Sequence, residues 1–495
     1  MRRLLLILVI VQSSATALGQ DISSSREAQT IDRAMQETIR KAEPAVVSIL
    51  VSRSEDYHRL LKDSPPADKP GELGGFDRNQ AKKILSETLK DGRRLEAELR
   101  RLDLSDLENV PELYGSGVAI SAQGLILTNF HIVREAAKVY VRLPGGKGSY
   151  ANIHAGDSRS DLAVLSLLNS SVLPVPFLRP GNGQVRKGQL VLTLTNPFSP
   201  GFRDAGPRAS WGIVANLRRK NPQRPTFEDQ AKMTLHHYGS LIQTDRTLPV
   251  GSSGGILLNL EGQMVGLITS LAGVTGDPGG AYAVPLDAAM SRIIGVLEKG
   301  EEVEYGFLGI QFDRTSMQGP GVSFYQALPG SPAERAGLRS GDRILAVNNV
   351  PVNENDDLIL EINRALAGST VRLEIQRRFG SKETVPVTVA KYNPSWTIIA
   401  SEKHPFVRGL RVDYTSILAQ RGWQREVPPG VLVRDVEKGS QAESARLQDA
   451  IILRVDGEEV HTPAEFYERM RKNGSVELTL ASGDEHNQTQ RVTLD

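Results

Sequence analysis

An all-β unit followed by two copies of a smaller α+β unit is the architecture this chain predicts, and three observations predict it. From Gly115 onward, short apolar runs alternate with turns bearing Gly or Pro, the density expected of a barrel or sandwich. Two downstream stretches repeat each other. Pro320-Gly321-Val322 returns as Pro429-Gly430-Val431, and Gly330-Ser331-Pro332-Ala333-Glu334 returns at the same offset as Gly439-Ser440-Gln441-Ala442-Glu443. Ile344-Leu345 returns at Ile452-Leu453, one residue closer. The length of 495 residues also suits about three or four domains.

Composition narrows the chemistry. Apolar residues make up 39% and charged residues 24%, the balance of a globular chain rather than a disordered or fibrous one. A net charge of +1 provides no overall field for nucleic acid or membrane. There are no cysteines, which excludes disulfides, a catalytic thiol and cysteine–metal sites.

The start of the chain reads as a secretion signal. Arg2 and Arg3 precede the apolar run Leu4 to Val11, and Ala17-Leu18-Gly19 places small residues at the cleavage positions. The run is too short to span a bilayer, which takes about 20 residues. We therefore expect a secreted product without a stable membrane anchor.

Ser25 to Ala42 steps Ile31, Met35 and Ile39 by four, the spacing of a short helix, and Pro44 stops it. Ala45 to Val51 reads as a strand. Residues 53–112 interrupt the β pattern with a Pro/Gly-rich stretch near Ser64 to Gly75 and one charged helix, Asn79 to Leu102. That helix is either a solvated surface element or part of a regulatory or assembly insertion. Strands are expected at Val118 to Ser121, Leu125 to Thr128, Lys138 to Leu143, Ala151 to Ala155, Gln189 to Thr195, Ser210 to Ala215, Gly239 to Gln243, Ile256 to Leu260 and Met264 to Ser270. Leu286 to Lys299 carries Met290, Ile293, Ile294 and Leu297 on one face, and Gly300 can cap it. The basic trio Arg218-Arg219-Lys220 reads as a solvated loop rather than a nucleic-acid site.

Chemistry concentrates in three places. QTDRTLPVGSSGG, Gln243 to Gly255, sets Ser253 among glycines that permit a sharp backbone with N–H groups aimed at one point. A serine nucleophile needs a base and a group to orient that base. Of eight histidines, His131 stands out because it follows a strand ending in Thr128-Asn129. A strand would send the adjacent His236 and His237 to opposite faces. Asp161 just precedes the apolar run LAVL. The residues alone leave His131 as either a base or a buried structural histidine. Ser252 remains a second candidate beside Ser253. A G-x-S-x-G elbow of the α/β-hydrolase type requires the acid and histidine to follow the serine, whereas here both precede it.

TNFHIV, SDLAVL and GSSGG, taken in order with GSGVAIS, LTNPF, WGIV and LIQTD, resemble the HtrA/Deg family of secreted serine proteases. The resemblance covers nearly all of the mature chain. It implies a mainly β fold, with a chymotrypsin-like double β-barrel protease domain and then two small α+β PDZ-like domains. The implied division is a signal at 1–19, protease at 20–300 with the insertion at 53–112, first PDZ at 301–392, link at 393–407 and second PDZ at 408–495. It implies His131 as base, Asp161 as its orienting acid, Ser253 as nucleophile, and the N–H groups of Gly251 and Ser253 as oxyanion hole. No metal or cofactor is required. Leu248, Ile268, Thr269 and Ser270 would line a pocket for small aliphatic side chains. Tyr305-Gly306 with Phe307, Leu308, Gly309 and Ile310 resembles the carboxylate-binding loop of PDZ domains, which captures a peptide C-terminus as an added strand. The second copy has Arg408 at a usually apolar position and suits assembly more than peptide capture.

The family implies a periplasmic endopeptidase acting on unfolded or misfolded polypeptides and assembled as a homotrimer or larger. The alternative is a weakly active or inactive chaperone or PDZ scaffold. Pro249, Val250 and Ser252 depart from the family's usual residues ahead of the nucleophile, as does Ser199 after NPF.

Overall fold

A computed structural model describes residues 26–60, 71–181, 183–198, 206–221, 233–270, 280–312, 320–378, 380–393, 398–419, 426–482 and 488–495. The expected signal, Ser199 and His486 lie outside the described residues, as does most of the Pro/Gly-rich stretch.

The strands of the first unit close into two barrels. β1 (Val46–Ser52), β2 (Leu113–Ala119), β3 (Leu125–Asn129), β4 (Lys138–Arg142), β5 (Gly148–Asp157) and β6 (Leu162–Leu167) form the first, closed by pairing of β5 with β6. β7 (Leu190–Thr195), β8 (Arg208–Arg219), β9 (Leu241–Thr244), β10 (Ile256–Leu258), β11 (Met264–Thr269) and β12 (Tyr282–Pro285) form the second.

Side-chain alternation explains the patterns. Val47, Ile49 and Val51 of β1 point into the first barrel with Ile126, Val139 and Leu165. Leu50 points outward yet is buried, because Leu104 from the insertion and Tyr140 cover it. β1 is therefore buried along its whole length, Ser48 and Ser52 included. In β10, Leu257 fills the second barrel, while Ile256 and Leu258 join the core between the two barrels.

Helices α1 (Arg26–Ala42), α2 (Asp56–Leu60), α3 (Arg78–Thr88), α4 (Gly92–Leu102), α5 (Phe130–Val133) and α6 (Ala288–Glu298) complete the unit. The single helix expected over Asn79 to Leu102 is two. Asp91 is extended (φ −81°, ψ 113°) and caps α4 by accepting from Arg93 N, so the chain breaks there. These helices bury Leu99 and Leu102 with Tyr57 and Ala137 and are thus anchored to the first barrel.

The repeats share one strand order. In the first, strands 310–312, 322–327, 343–347, 370–376 and 382–388 run edge to edge, with helices α7 (Pro332–Arg335) and α8 (Asn355–Arg364). In the second, strands 410–414, 431–436, 451–455, 476–482 and 488–494 do the same. The stretch read as a link carries a further strand, Ile398–Ala400, which pairs antiparallel with β5 through Ile399↔Gly156. The segment therefore returns to the first barrel instead of hanging between the repeats. No helix among the described residues is long and apolar enough to cross a membrane.

Candidate active site

The site lies between the barrels because each contributes loops to it. His131 sits in α5, the single turn that follows β3. Its Nδ1 faces both carboxylate oxygens of Asp161, at 3.0 and 2.9 Å. The backbone N–H of His131 also donates to Asp161 Oδ1 (3.0 Å), and Phe130 N–H donates to the Asp161 carbonyl (3.0 Å). One residue thus fixes both the ring and the turn that carries it. Asp161 is buried and has φ +55°, a left-handed backbone that a non-glycine residue adopts only when its surroundings impose it.

The serine loop comes from the second barrel and is bonded to the first. Ser116 N–H donates to the Ser253 carbonyl (2.7 Å), and Ser116 Oγ donates to the Gly251 carbonyl (2.9 Å). Two glycines permit this approach. Gly251 has φ +85°, and a Cβ there would lie 2.6 Å from the Tyr114 ring. Gly254 has φ +84°, and its Cβ would lie 1.8 Å from the Ser116 carbonyl oxygen. The backbone N–H groups of Gly251 and Ser253 donate to no acceptor among the described residues, which leaves both donors open to a ligand oxygen.

The two serines part company here. Ser252 Oγ is buried without a hydrogen-bond partner. Ser253 Oγ donates to Ser270 Oγ (2.9 Å) and accepts from Ser270 N–H (3.1 Å). It makes no hydrogen bond to the His131 ring in this arrangement.

Thr269 and Ser270, expected as pocket residues, make polar contacts at the site. Thr269 Oγ1 donates to Asp161 Oδ2 at 3.4 Å, and Ser270 holds Ser253. Ile268 is packed inside the second barrel with Leu248 against it.

His236 and His237 stand on a short 3₁₀ turn, Leu235–Tyr238, rather than on a strand. Both are buried on it. His236 bridges Ser240 Oγ (2.7 Å) and the Ser160 carbonyl (2.9 Å). Burial holds its pKa down to about 4 against the pull of nearby Asp161. This neutral imidazole behind Asp161 was not singled out from sequence, since only the tertiary fold brings it there.

In the first repeat, Phe307 pairs with Ala390 and Ile310 opens the sheet's edge strand. Leu308 is in the repeat's core. The N–H groups of Leu308 and Gly309 have no acceptor among the described residues. Arg218, expected in a solvated loop, lies near the end of β8 with Lys220 just beyond it; both stay partly exposed and pair with the start of α8 and its cap, Arg218 with Asp357 (2.6 Å) and Lys220 with Glu354 (2.7 Å) and Asp356 (3.0 Å).

Paired six-stranded antiparallel barrels, with the histidine loop on one and the glycine-flanked serine on the other, are the framework of a trypsin-like serine protease, here extended by PDZ modules. Residues 115–267 match the trypsin-like peptidase domain and residues 324–377 the PDZ domain. The chain is 29% identical over 417 residues to the periplasmic pH-dependent serine endoprotease DegQ of Escherichia coli, covering 80% of this chain and 85% of that one. It is 30% identical over 385 residues to a probable periplasmic DegP-like serine endoprotease of Chlamydia muridarum, covering 75% and 72%. A Chlamydia trachomatis DegP-like protein matches at 29% over 482 residues, covering 94% and 90%. The chain belongs to the HtrA/Deg family and is a serine endoprotease.

Proposed function

We propose that the enzyme hydrolyses unfolded or misfolded polypeptides in the periplasm through a His131–Asp161–Ser253 triad. The observation that carries this reading is the His131–Asp161 pair, whose geometry leaves Nε2 as the free ring nitrogen. Ser253 Oγ turns from Ser270 toward His131 and attacks the peptide carbonyl, and its proton passes to Nε2. The Gly251 and Ser253 N–H groups receive the oxyanion, where charge develops in the transition state. His131 then protonates the leaving amine, and water hydrolyses the acyl-enzyme with His131 again as base. The edge strand at Ile310 and the open N–H groups of Leu308 and Gly309 support capture of peptide C-termini by the first PDZ repeat. The basic, apolar start of the chain supports export, and the family supports assembly as a trimer or larger.

Fluorophosphonate labelling and casein cleavage test the reading. Ser253→Ala abolishes both, with turnover falling on the order of 10⁶-fold by analogy with other triads. Ser252→Ala keeps both, since its hydroxyl is buried and makes no bond. Labelling retained in Ser253→Ala would refute the assignment. The Ser253–Ser270 bond favours a second reading, a scaffold with a dormant protease unit. Wild-type protein that neither labels nor cleaves casein would establish that reading instead.

A further inference from the structure

We infer that Tyr305 and Asn363 of the first PDZ repeat are positioning residues for Asp161, so that the orienting acid of the protease is assembled partly on another domain. The inference rests on the triad reading above.

Asp161 ends a turn, residues 157–161, between β5 and β6, and the start of that turn is held from the repeat. Asp157 Oδ2 accepts from Ser160 N–H (2.9 Å) and Ser160 Oγ (2.5 Å). The Tyr305 hydroxyl donates to the same oxygen. Arg159 is buried. Its Nη2 and Nε both donate to Asn363 Oδ1, at 2.7 and 3.2 Å, and its Nη1 donates to the Met233 carbonyl (3.1 Å). The guanidinium lies over the rings of Tyr238 (5.1 Å) and Tyr392 (5.7 Å). From the protease side, Leu235 N–H donates to the Arg159 carbonyl (2.7 Å) and His236 holds the Ser160 carbonyl.

Buried charges need partners. Here Asp157 and Arg159 each take one from the repeat, 148 and 204 residues away in sequence. Asn363 is itself buried on α8, and α8 is pinned by the Arg218 and Lys220 pairs and by Arg364 to Asp287. A left-handed Asp161 two residues from Arg159 is the conformation such a clamp can impose and its loss would release. The carboxylate that orients His131 would then drift.

The test uses the full chain with a fluorogenic peptide, comparing Asn363→Ala, Tyr305→Phe and their double variant with Asp161→Asn. Both single variants should lose at least about tenfold in kcat with KM little changed, short of the roughly 10⁴-fold that follows disabling of the triad aspartate. The acidic limb of kcat/KM should move to lower pH, because the imidazolium loses part of its carboxylate partner. Asn363→Asp, which still offers Arg159 an acceptor, should restore wild-type kcat. Tyr305→Phe removes a single hydroxyl and keeps the fold, which circular dichroism would verify. Wild-type kcat and an unmoved limb in Tyr305→Phe and Asn363→Ala, while Asp161→Asn is inactive, would overturn the inference and leave the triad standing. A fully active Asp161→Asn would overturn the triad itself.

Discussion

His236 makes acid stability a direct reading of the site's interior. Its imidazole is fully buried between Ser160 and Ser240 and protonates only at about pH 4, against 6.5 for a free histidine. As pH falls through that window the unfolded chain gains a proton that the folded chain refuses, so stability is lost. The gap corresponds to about 3 kcal/mol in total, of which about 2 kcal/mol is lost by about pH 5. The measurement is urea unfolding followed by circular dichroism, from about pH 7.5 to about pH 5, in a Ser253→Ala background. Ser253→Ala and Ser253→Ala/His236→Gln are compared. Burial pushes the carboxyls of Asp157, Glu304 and Glu361 upward. These act with the opposite sign in both proteins and cancel in the difference. The double variant should lose about 2 kcal/mol less over the range. Parallel profiles would show that His236 titrates freely and would refute the buried neutral imidazole.

Two further outcomes follow from packing and charge. Gly254→Ala should abolish fluorophosphonate labelling, because its Cβ would meet the Ser116 carbonyl. Gly295→Ala, open on α6, should keep labelling and gain up to about 1 kcal/mol; the opposite order would contradict the loop geometry. Lys391 is buried and bridges Glu302 (2.9 Å), Glu304 (2.9 Å) and Asp413 (3.0 Å), joining the two repeats. Lys391→Met should destabilise by about 3–5 kcal/mol by stranding the carboxylates, read as a lower urea midpoint; an unchanged midpoint would show that the node contributes nothing.

The order of parts is legible in the chain: the β unit, its closing helix α6, and two repeats visible as PGV and GSxAE. Local signals, a histidine after a strand end and a serine among glycines, drew attention to His131 and to Ser252-Ser253; only the resemblance to the HtrA/Deg family joined His131, Asp161 and Ser253 into one site. Local signals end where contacts become non-local. The break between α3 and α4 turns on one aspartate cap within a helix-compatible run. The bond that holds buried His236 to Ser160, the pairing of Ile398–Ala400 with β5 and the ion pairs of Arg218 and Lys220 with residues 354–357 each need partners more than 70 residues away in sequence. Tertiary structure alone decided that Ser252 faces the interior, that Thr269 and Ser270 contact Asp161 and Ser253, and that Asn363 reaches Arg159. The physical reason is the same throughout: a buried charge or hydroxyl must find its partner wherever the fold brings one, and neither composition nor periodicity encodes that distance.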